Sequence, residues 1–266
     1  MVSRSLGQTG LIVSRIGLGT TKLGRNTDVK YPKAFPLPSD KQVHDLLKTA
    51  LTLGVNLVDT APAYGSSESR LAGFVGSQRD RFVLSTKCGE QYRDGRSMYD
   101  FSAGALIASV EASLSHLHID RIDIVLLHSD GRDLEILTRT DALEALRKLK
   151  QSGKARLIGI SAKTPEGIRE ACGTLDVVMA PFSQTDQVLA DALRQAHQAG
   201  LGILAIKALS SGHLEAGPAI EFVLRQNFID ALILGTTNSA HLSEAVSIAK
   251  DIASETGPRA SGHTPI

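Results

Sequence analysis

The stretch Ile122-Asp123-Ile124-Val125-Leu126-Leu127-His128 decides the fold. From Ile122 to Leu127 it is an apolar run with almost no alternation, the pattern of a strand covered on both faces. A helix precedes it, for residues 102–118 carry Leu106, Val110, Leu114 and Leu117 on one side, the spacing of an amphipathic face. A second helix follows. Asp141 and Glu144 open it, Leu143, Leu146 and Leu149 face inward, and Gly153 closes it. A buried strand between two such helices is the repeating unit of a parallel sheet.

The same unit recurs in both directions. Toward the C-terminus, strands are expected at 156–160, 175–180, 201–206 and 231–234. Helices are expected from Thr164-Pro165, with proline at the first helical position, and at 186–199, 216–227 and 239–253. Toward the N-terminus the expected strands are 82–86 and 55–58, with a short helix at 70–75. A longer helix opens at Ser39, where Gln42 three residues on completes a capping-box pattern. Its inward face is Val43, Leu46, Leu47, Ala50 and Leu51, and Gly54 is placed to stop it. The glycine-rich start predicts a small hairpin and a first strand at 15–18. Gly24, Asn26, Pro32, Pro36 and Pro38 mark an irregular loop long enough to be functional. The tail, with Gly257, Pro258, Gly262 and Pro265, is expected to fray.

Strand and helix alternate about eight times, which predicts a (β/α)8 barrel with a short N-terminal β-hairpin, as one domain over residues 1–266. An open doubly wound sheet is the competing architecture. Composition agrees with an ordinary globular protein at 42% hydrophobic and 21% charged residues. A net charge of +1 gives no global field for nucleic acid or membrane surfaces. Cys88 and Cys172 have neither metal-ligand spacing nor a framework of pairs. With no apolar leader at the start and no run long enough to span a bilayer, a cytoplasmic protein without a metal site is expected.

In a barrel the chemistry sits at the C-terminal ends of the strands. Four polar residues fall there: Asp59 after the second strand, Tyr64 in the loop beyond it, Lys87 after the third and His128 after the fourth. Each alone has a plain reading as a cap, a packed ring, a surface charge or a core histidine. Together they form a coherent proton-transfer set. A nearby ammonium favours phenolate and so lowers the pKa of a tyrosine. Asp59 supplies the counter-charge that a buried Lys87 needs. His128 can donate a hydrogen bond to the same substrate oxygen and orient it. Tyr64 then serves as a general acid beside a carbonyl. Hydride has no source among side chains, so a nicotinamide cofactor is implied.

These residues identify a resemblance to the aldo-keto reductase family. Arg4-Ser5-Leu6-Gly7, Val13-Ser14-Arg15-Ile16-Gly17-Leu18-Gly19-Thr20, Asp59-Thr60-Ala61, Tyr64-Gly65, Ser67-Glu68, Lys87 and Leu127-His128 carry it over nearly the whole chain. The resemblance implies a (β/α)8 barrel and NAD(P)H-dependent reduction of an aldehyde or ketone, reversible toward an alcohol. It makes Tyr64 the proton donor, Lys87 and Asp59 its tuning pair and His128 the carbonyl orienter. On the cofactor side it implies roles for Gly19, Thr20, Thr21 and Asp59. It places Ser161 on the carboxamide and Phe182 as the ring stacked on the nicotinamide. Lys207, Leu209 and Ser211 fall in the loop that cradles the pyrophosphate, and Gly235, Thr236, Thr237, Asn238, His241 and Glu244 at the adenosine end.

The sequence departs from the family at Ala162 and Met179, where amide side chains usually hold the carboxamide. Met179 reads as core packing. NADP is expected over NAD, with Lys207 or His241 reaching a phosphate. A small-molecule carbonyl compound is the expected partner, and the oligomeric state is not legible. The pocket walls are expected from residues 22–38, 90–101 and 129–139. Arg93, Arg96 and Arg132 read as solvated loop charges, and Cys88 as a packed thiol. The alternative reading is a cofactor-binding, redox-sensing regulatory subunit resembling the potassium-channel β subunits. A barrel enzyme without nicotinamide is a third.

Overall fold

The computed structural model describes residues 2–29, 31 and 34–256. Pro32 of the first loop and the expected frayed tail from Gly257 onward lie outside the described residues. The chain opens with an antiparallel hairpin of β1 (Ser3–Ser5) and β2 (Ile12–Ser14), followed by β3 (Ile16–Gly19) and a single helical turn, α1 (Thr21–Gly24). Then come α2 (Asp40–Leu53), β4 (Leu57–Asp59), α3 (Ser67–Ser77) and β5 (Val83–Cys88). A second hairpin, β6 (Glu90–Arg93) and β7 (Arg96–Tyr99), leads to α4 (Ala103–Leu117) and β8 (Ile122–His128). The chain continues through α5 (Asp133–Arg139), α6 (Ala142–Gln151), β9 (Ala155–Ser161), α7 (Pro165–Ala171) and β10 (Val177–Pro181). It ends with α8 (Ala190–Gln198), β11 (Gly202–Ile206), α9 (Ala216–Leu224), β12 (Ala231–Gly235) and α10 (Ser239–Thr256).

Eight of these strands close into a barrel in the order β3-β4-β5-β8-β9-β10-β11-β12, with β12 pairing in parallel back onto β3. The barrel and its N-terminal hairpin are therefore as the alternation predicts, and the open-sheet alternative is excluded by closure. The helix at residue 40 begins as its sequence dictates. Ser39 accepts from Gln42 N, and the Gln42 side chain accepts in turn from Ser39 N at 2.8 Å. Gly54 ends the helix at φ 79°, in the left-handed region that a Cβ penalises.

Strand parity explains the core. Along β8, Val125 and Leu127 pack under the surrounding helices, whereas Ile124 and Leu126 face the barrel interior. Leu57, Val83, Leu157, Val177, Met179, Leu204 and Ile233 fill the same interior, and Leu6, Leu11 and Val13 of the first hairpin plug its lower end. Burying each such aliphatic side chain contributes about 1.5–3 kcal/mol relative to exposure. Because successive side chains alternate across a strand, inward residues two and four positions further on form the upper rim. That rule selects Gly19, Asp59, Lys87, His128, Ser161, Pro181, Ile206 and Gly235, and all of them line one cavity.

The structure corrects several boundaries. The strand expected at 55–58 is β4, and the strands expected to stop at 86, 127 and 160 run on through Lys87, His128 and Ser161. The rim residues are thus the last residues of strands rather than the first of loops. The helix expected at 70–75 covers Ser67–Ser77, and the one expected from residue 186 begins at Ala190. Besides the single turn α1, two elements were not anticipated. One is α5, a single short helix with only Ile136 and Leu137 as apolar anchors in the core. The other is the β6–β7 hairpin, turned by Asp94 at φ 51° and Gly95 at φ 76°, the Asp-Gly signature of a tight hairpin.

Candidate active site

At the upper rim, Lys87 is buried and fully engaged. Its Nζ donates to Asp59 Oδ2 at 2.6 Å, to Asp59 Oδ1 at 2.8 Å and to the Thr60 carbonyl at 3.0 Å. Asp59 Oδ1 also accepts from Ser85 Oγ at 3.0 Å. Neighbouring strands make this pair inevitable, since β4 and β5 run in register with Asp59 opposite Ser85. Burial by itself pushes the Lys87 ammonium down, but Asp59 and Tyr64 outweigh it and hold its pKa above the ordinary lysine value.

Tyr64 reaches the site from the 3-10 turn Pro62–Tyr64. Two glycines hold that turn in place. A Cβ on Gly24 would lie 2.3 Å from the Tyr64 carbonyl, and one on Gly65, at φ 62°, would lie 2.3 Å from the Gly24 carbonyl. The turn and α1 therefore touch backbone to backbone, and only glycine permits it. The Lys87 ammonium sits 4.8 Å from the Tyr64 ring centre, and the Tyr64 and His128 rings meet edge to face at 6.1 Å. Desolvation raises the Tyr64 pKa, and hydrogen bonds from Lys87 and Thr21 offset only part of that rise. Lys87 does lower the pKa, as expected, but burial outweighs it and the net shift is upward. Burial is the largest cause and Asp59 opposes part of the lysine's field, so the phenol is held protonated.

His128, the last residue of β8, has a pKa pushed down by burial, with Lys87 adding to the effect and Glu90 opposing it. Its Nδ1 lies 2.8 Å from Glu90 Oε2. Glu90 is buried, and Ser97 Oγ donates to its other oxygen at 2.6 Å. Burial works against the Glu90 charge, but the contacts with His128 and Ser97 overcome it and set its pKa to about 2.

The cavity over these residues measures about 650 Å³, within the range of small-molecule and cofactor clefts. Of the residues expected on the cofactor side, Gly19, Thr21, Asp59, Ser161, Lys207, Leu209, Ser211 and Gly235 line it. The loop after β11 is shaped for close approach. Lys207, Ser210 and Ser211 all adopt positive φ (61°, 45° and 62°), followed by Gly212 at 97°. Non-glycine residues in that region carry strain, which clusters at ligand-binding sites. The Leu209 carbonyl accepts from the amides of Gly212, His213 and Leu214. Those amides brace the loop, and the Ser211 side of it faces the cavity.

Other expected cofactor residues do not reach the cavity. Thr20 is fully buried, donates to the Asp59 carbonyl at 2.9 Å and accepts from Ser67 Oγ at 2.7 Å, which makes it a latch behind the rim. Phe182 is likewise in the core, 5.7 Å from the Phe222 ring and 5.5 Å from the Phe228 ring. Parity is the reason. Met179 and Pro181 face inward, so Phe182 turns outward, and the rim position goes instead to Ile206 of β11. Thr236, Thr237, Asn238, His241 and Glu244 lie beyond Gly235 rather than in the cavity wall. Thr236 Oγ1 accepts from Asn238 N, and Asn238 Oδ1 accepts from Ala240 N. These bonds shape the entry of α10, whose first two turns leave His241 and Glu244 exposed. Ala162 and Met179 both line the cavity, and Met179 also belongs to the inner core.

Two of the three loops expected to wall the pocket, 22–38 and 90–101, do so, whereas no residue of 129–139 lines it. Lys22, Arg25, Tyr31, Glu90, Ser97 and Tyr99 line it. Lys22 Nζ rests 4.0 Å from the Tyr31 ring centre, and the Arg25 guanidinium 3.4 Å from that of Tyr92. The Asp94-Gly95 turn was the signal that could have located Glu90, since it fixes a hairpin starting two residues past β5. Arg93 and Arg96 are exposed at that turn, and Arg132 pairs with Asp130 at 2.7 Å. Cys88 is buried with its thiol pushed up to about 12. Among the described residues there is no cluster of metal-ligating side chains, and no helix is long and apolar enough to cross a membrane.

Comparison with known proteins agrees with this geometry. The model of the Aldo/keto reductase family matches residues 15–218. L-galactose dehydrogenase of Arabidopsis thaliana is 35% identical over 81% of this chain and 68% of its own length. The NADH-specific methylglyoxal reductase of Escherichia coli is 31% identical over 71% of this chain and 61% of its own length. Among solved structures, PA4992 of Pseudomonas aeruginosa, assigned to the aldo-keto reductases, superposes with a TM-score of 0.87. It is 40% identical, covering 95% of this chain and 96% of that one.

Proposed function

The chain belongs to the aldo/keto reductase family and is an NAD(P)-dependent oxidoreductase, and on that premise we propose that it reduces an aldehyde or ketone to the alcohol, with Tyr64 as proton donor. The observation that carries this reading is the convergence of Tyr64, Lys87 with Asp59, and His128 on one cavity that also holds the strained 207–212 loop. A reduced nicotinamide, when bound, supplies the hydride. The residues present fit such a group. Ser161 and Gly235 stand on the rim, and Lys207, Leu209 and Ser211 form a wall suited to a diphosphate.

The side chains divide the remaining work. Tyr64, held protonated by burial, keeps its hydroxyl hydrogen available for the substrate oxygen. As that oxygen takes the proton, the nascent phenolate is stabilised by Lys87, already placed against it. Asp59 keeps Lys87 charged and pointed into the site. His128 meets the same oxygen from the next strand and orients it. Thr21, Gly19 and the 207–212 loop contribute to cofactor binding, with the adenosine end along Gly235, Thr236, Thr237, Asn238, His241 and Glu244. NADPH is favoured over NADH, since Lys207 and the exposed His241 are cationic or protonatable groups on that side. The chain acts as one barrel domain in the cytoplasm.

The test is direct. The protein is mixed with NADPH or NADH and a panel of aldehydes, and cofactor absorbance is followed. Tyr64→Phe is expected to lower turnover by about 10²–10⁴-fold while cofactor binding, read from NADPH fluorescence, is retained. Equal turnover by the variant refutes the assignment of the acid. Tight cofactor binding with no turnover on any carbonyl points instead to a redox-sensing subunit.

A further inference from the structure

The β6–β7 hairpin leaves the barrel immediately after β5, through Gly89 at φ 103°. A Cβ there would lie 2.7 Å from the Phe101 ring, so this exit is open only to glycine. The register of β5 with β8 puts Cys88 opposite Leu127. The next outward step therefore brings Glu90 alongside His128. Glu90 is held at three points. Its backbone pairs with Tyr99 across the hairpin, Ser97 Oγ donates to its Oε1, and its Oε2 lies 2.8 Å from His128 Nδ1.

That last contact restricts the imidazole. Nδ1 is buried and finds no straight hydrogen bond to any described residue, so the 2.8 Å approach of the carboxylate is its nearest recorded polar contact. Two lone pairs cannot share that separation, and an ionised carboxylate has no proton to give. The proton must therefore sit on Nδ1. The groups facing His128 are Glu90 on the hairpin, Lys87 on β5, Asp59 on β4 and the Tyr64 ring from its turn. Lys87 is neutralised by Asp59, and Arg25 acts on Glu90 only from a distance. Among the described residues, Glu90 is thus the one carboxylate in direct contact with the ring.

We propose that Glu90 is a positioning residue for His128, holding the proton on Nδ1 and leaving Nε2 as the nitrogen that faces the substrate oxygen. In the neutral ring Nε2 accepts, which suits an alcohol hydroxyl. Once Nε2 takes a proton, the ring donates to a carbonyl oxygen, and Glu90 balances the new charge. Carbonyl reduction is then favoured on the acidic side of the His128 titration and alcohol oxidation on the basic side. This inference rests on the oxidoreductase reading only for its kinetic consequence.

The experiment reads the ring directly. Histidine side-chain nitrogen NMR on the labelled full chain, with His128→Gln for assignment, reports which nitrogen carries the proton. Nδ1–H is expected in the wild type at neutral pH. Glu90→Gln keeps an acceptor oxygen but removes the charge. It should keep the tautomer and lower the pH at which the ring gains its second proton by about one unit or more. Ser97→Ala, which loosens Glu90 without touching His128, should produce a smaller shift in the same direction. In turnover, the pH profile of kcat for aldehyde reduction should move with the NMR titration while the KM for cofactor stays fixed. An Nε2–H tautomer in the wild type overturns the proposal, as does an unmoved titration in Glu90→Gln. If no aldehyde is reduced, the oxidoreductase reading falls, and the nitrogen spectra still decide the role of Glu90.

Discussion

Replacing Asp59 by Asn tests the energetic centre of the site. The substitution keeps shape but removes the charge 2.6 Å from a lysine that is 1% exposed. Lys87 is left with the Thr60 carbonyl and a neutral amide oxygen as acceptors. Removing one partner of a buried ion pair costs about 3–5 kcal/mol, because the other charge stays desolvated and uncompensated. Lys87→Met should cost a similar amount, since Asp59 would keep only the Ser85 hydroxyl. The double variant removes both charges and should fall short of the sum by about 2–3 kcal/mol. Urea titration followed by circular dichroism measures all three, and the chain lacks tryptophan for a fluorescence readout. The sign with pH follows from the raised pKa of Lys87. The stabilisation is complete below the ordinary lysine value of 10.5 and is lost as pH rises through the native value. The wild-type side of the gap to Asp59→Asn should therefore be lost in strong alkali as Lys87 deprotonates. A loss below about 1 kcal/mol, or additive single variants, would refute the view that this pair is buried and coupled.

Two further outcomes follow from the same coordinates. Thiol labelling at mildly alkaline pH should modify Cys172, which is partly exposed, and spare Cys88, which is buried with its pKa near 12; equal labelling of the two in the native state would contradict the packing of β5. Gly24→Ala forces a methyl group into the backbone at Tyr64 and Ser67, and should cost about 1–3 kcal/mol. It should lower turnover more than it lowers stability would predict, and an unchanged rate would show that the Tyr64 turn is not fixed by that contact.

Much of this was legible before any coordinates. Non-alternating runs between amphipathic helices specify a parallel sheet covered on both faces, eight repeats point to a barrel, and the pairing of β12 with β3 closes it. Asp59, Lys87 and His128 were legible because a strand end is a fixed address in that fold. Tyr64 was legible through its neighbours, and Gly65 now explains why that turn is held where it is. Phe182 was misplaced for a simple reason. An aromatic residue in a motif suggests stacking, but its parity relative to Val177 and Met179 turns it into the outer core, and Ile206 takes the rim. Counting alternate residues from any interior position of β10 would have caught this.

The sequence by itself determined the architecture and the acid, ammonium and imidazole at the strand ends, since periodicity and strand position are local properties. The balance among those groups was decided only by the tertiary structure. Whether the Tyr64 pKa ends above or below its ordinary value depends on how far the phenol is desolvated and how much of the lysine's field Asp59 opposes, and both depend on distance and burial. Glu90 is the plainest case. Nothing in its local sequence marks it as a partner of His128, which ends β8 of the barrel, and only the β6–β7 hairpin leaving β5 brings the carboxylate to within 2.8 Å of the ring.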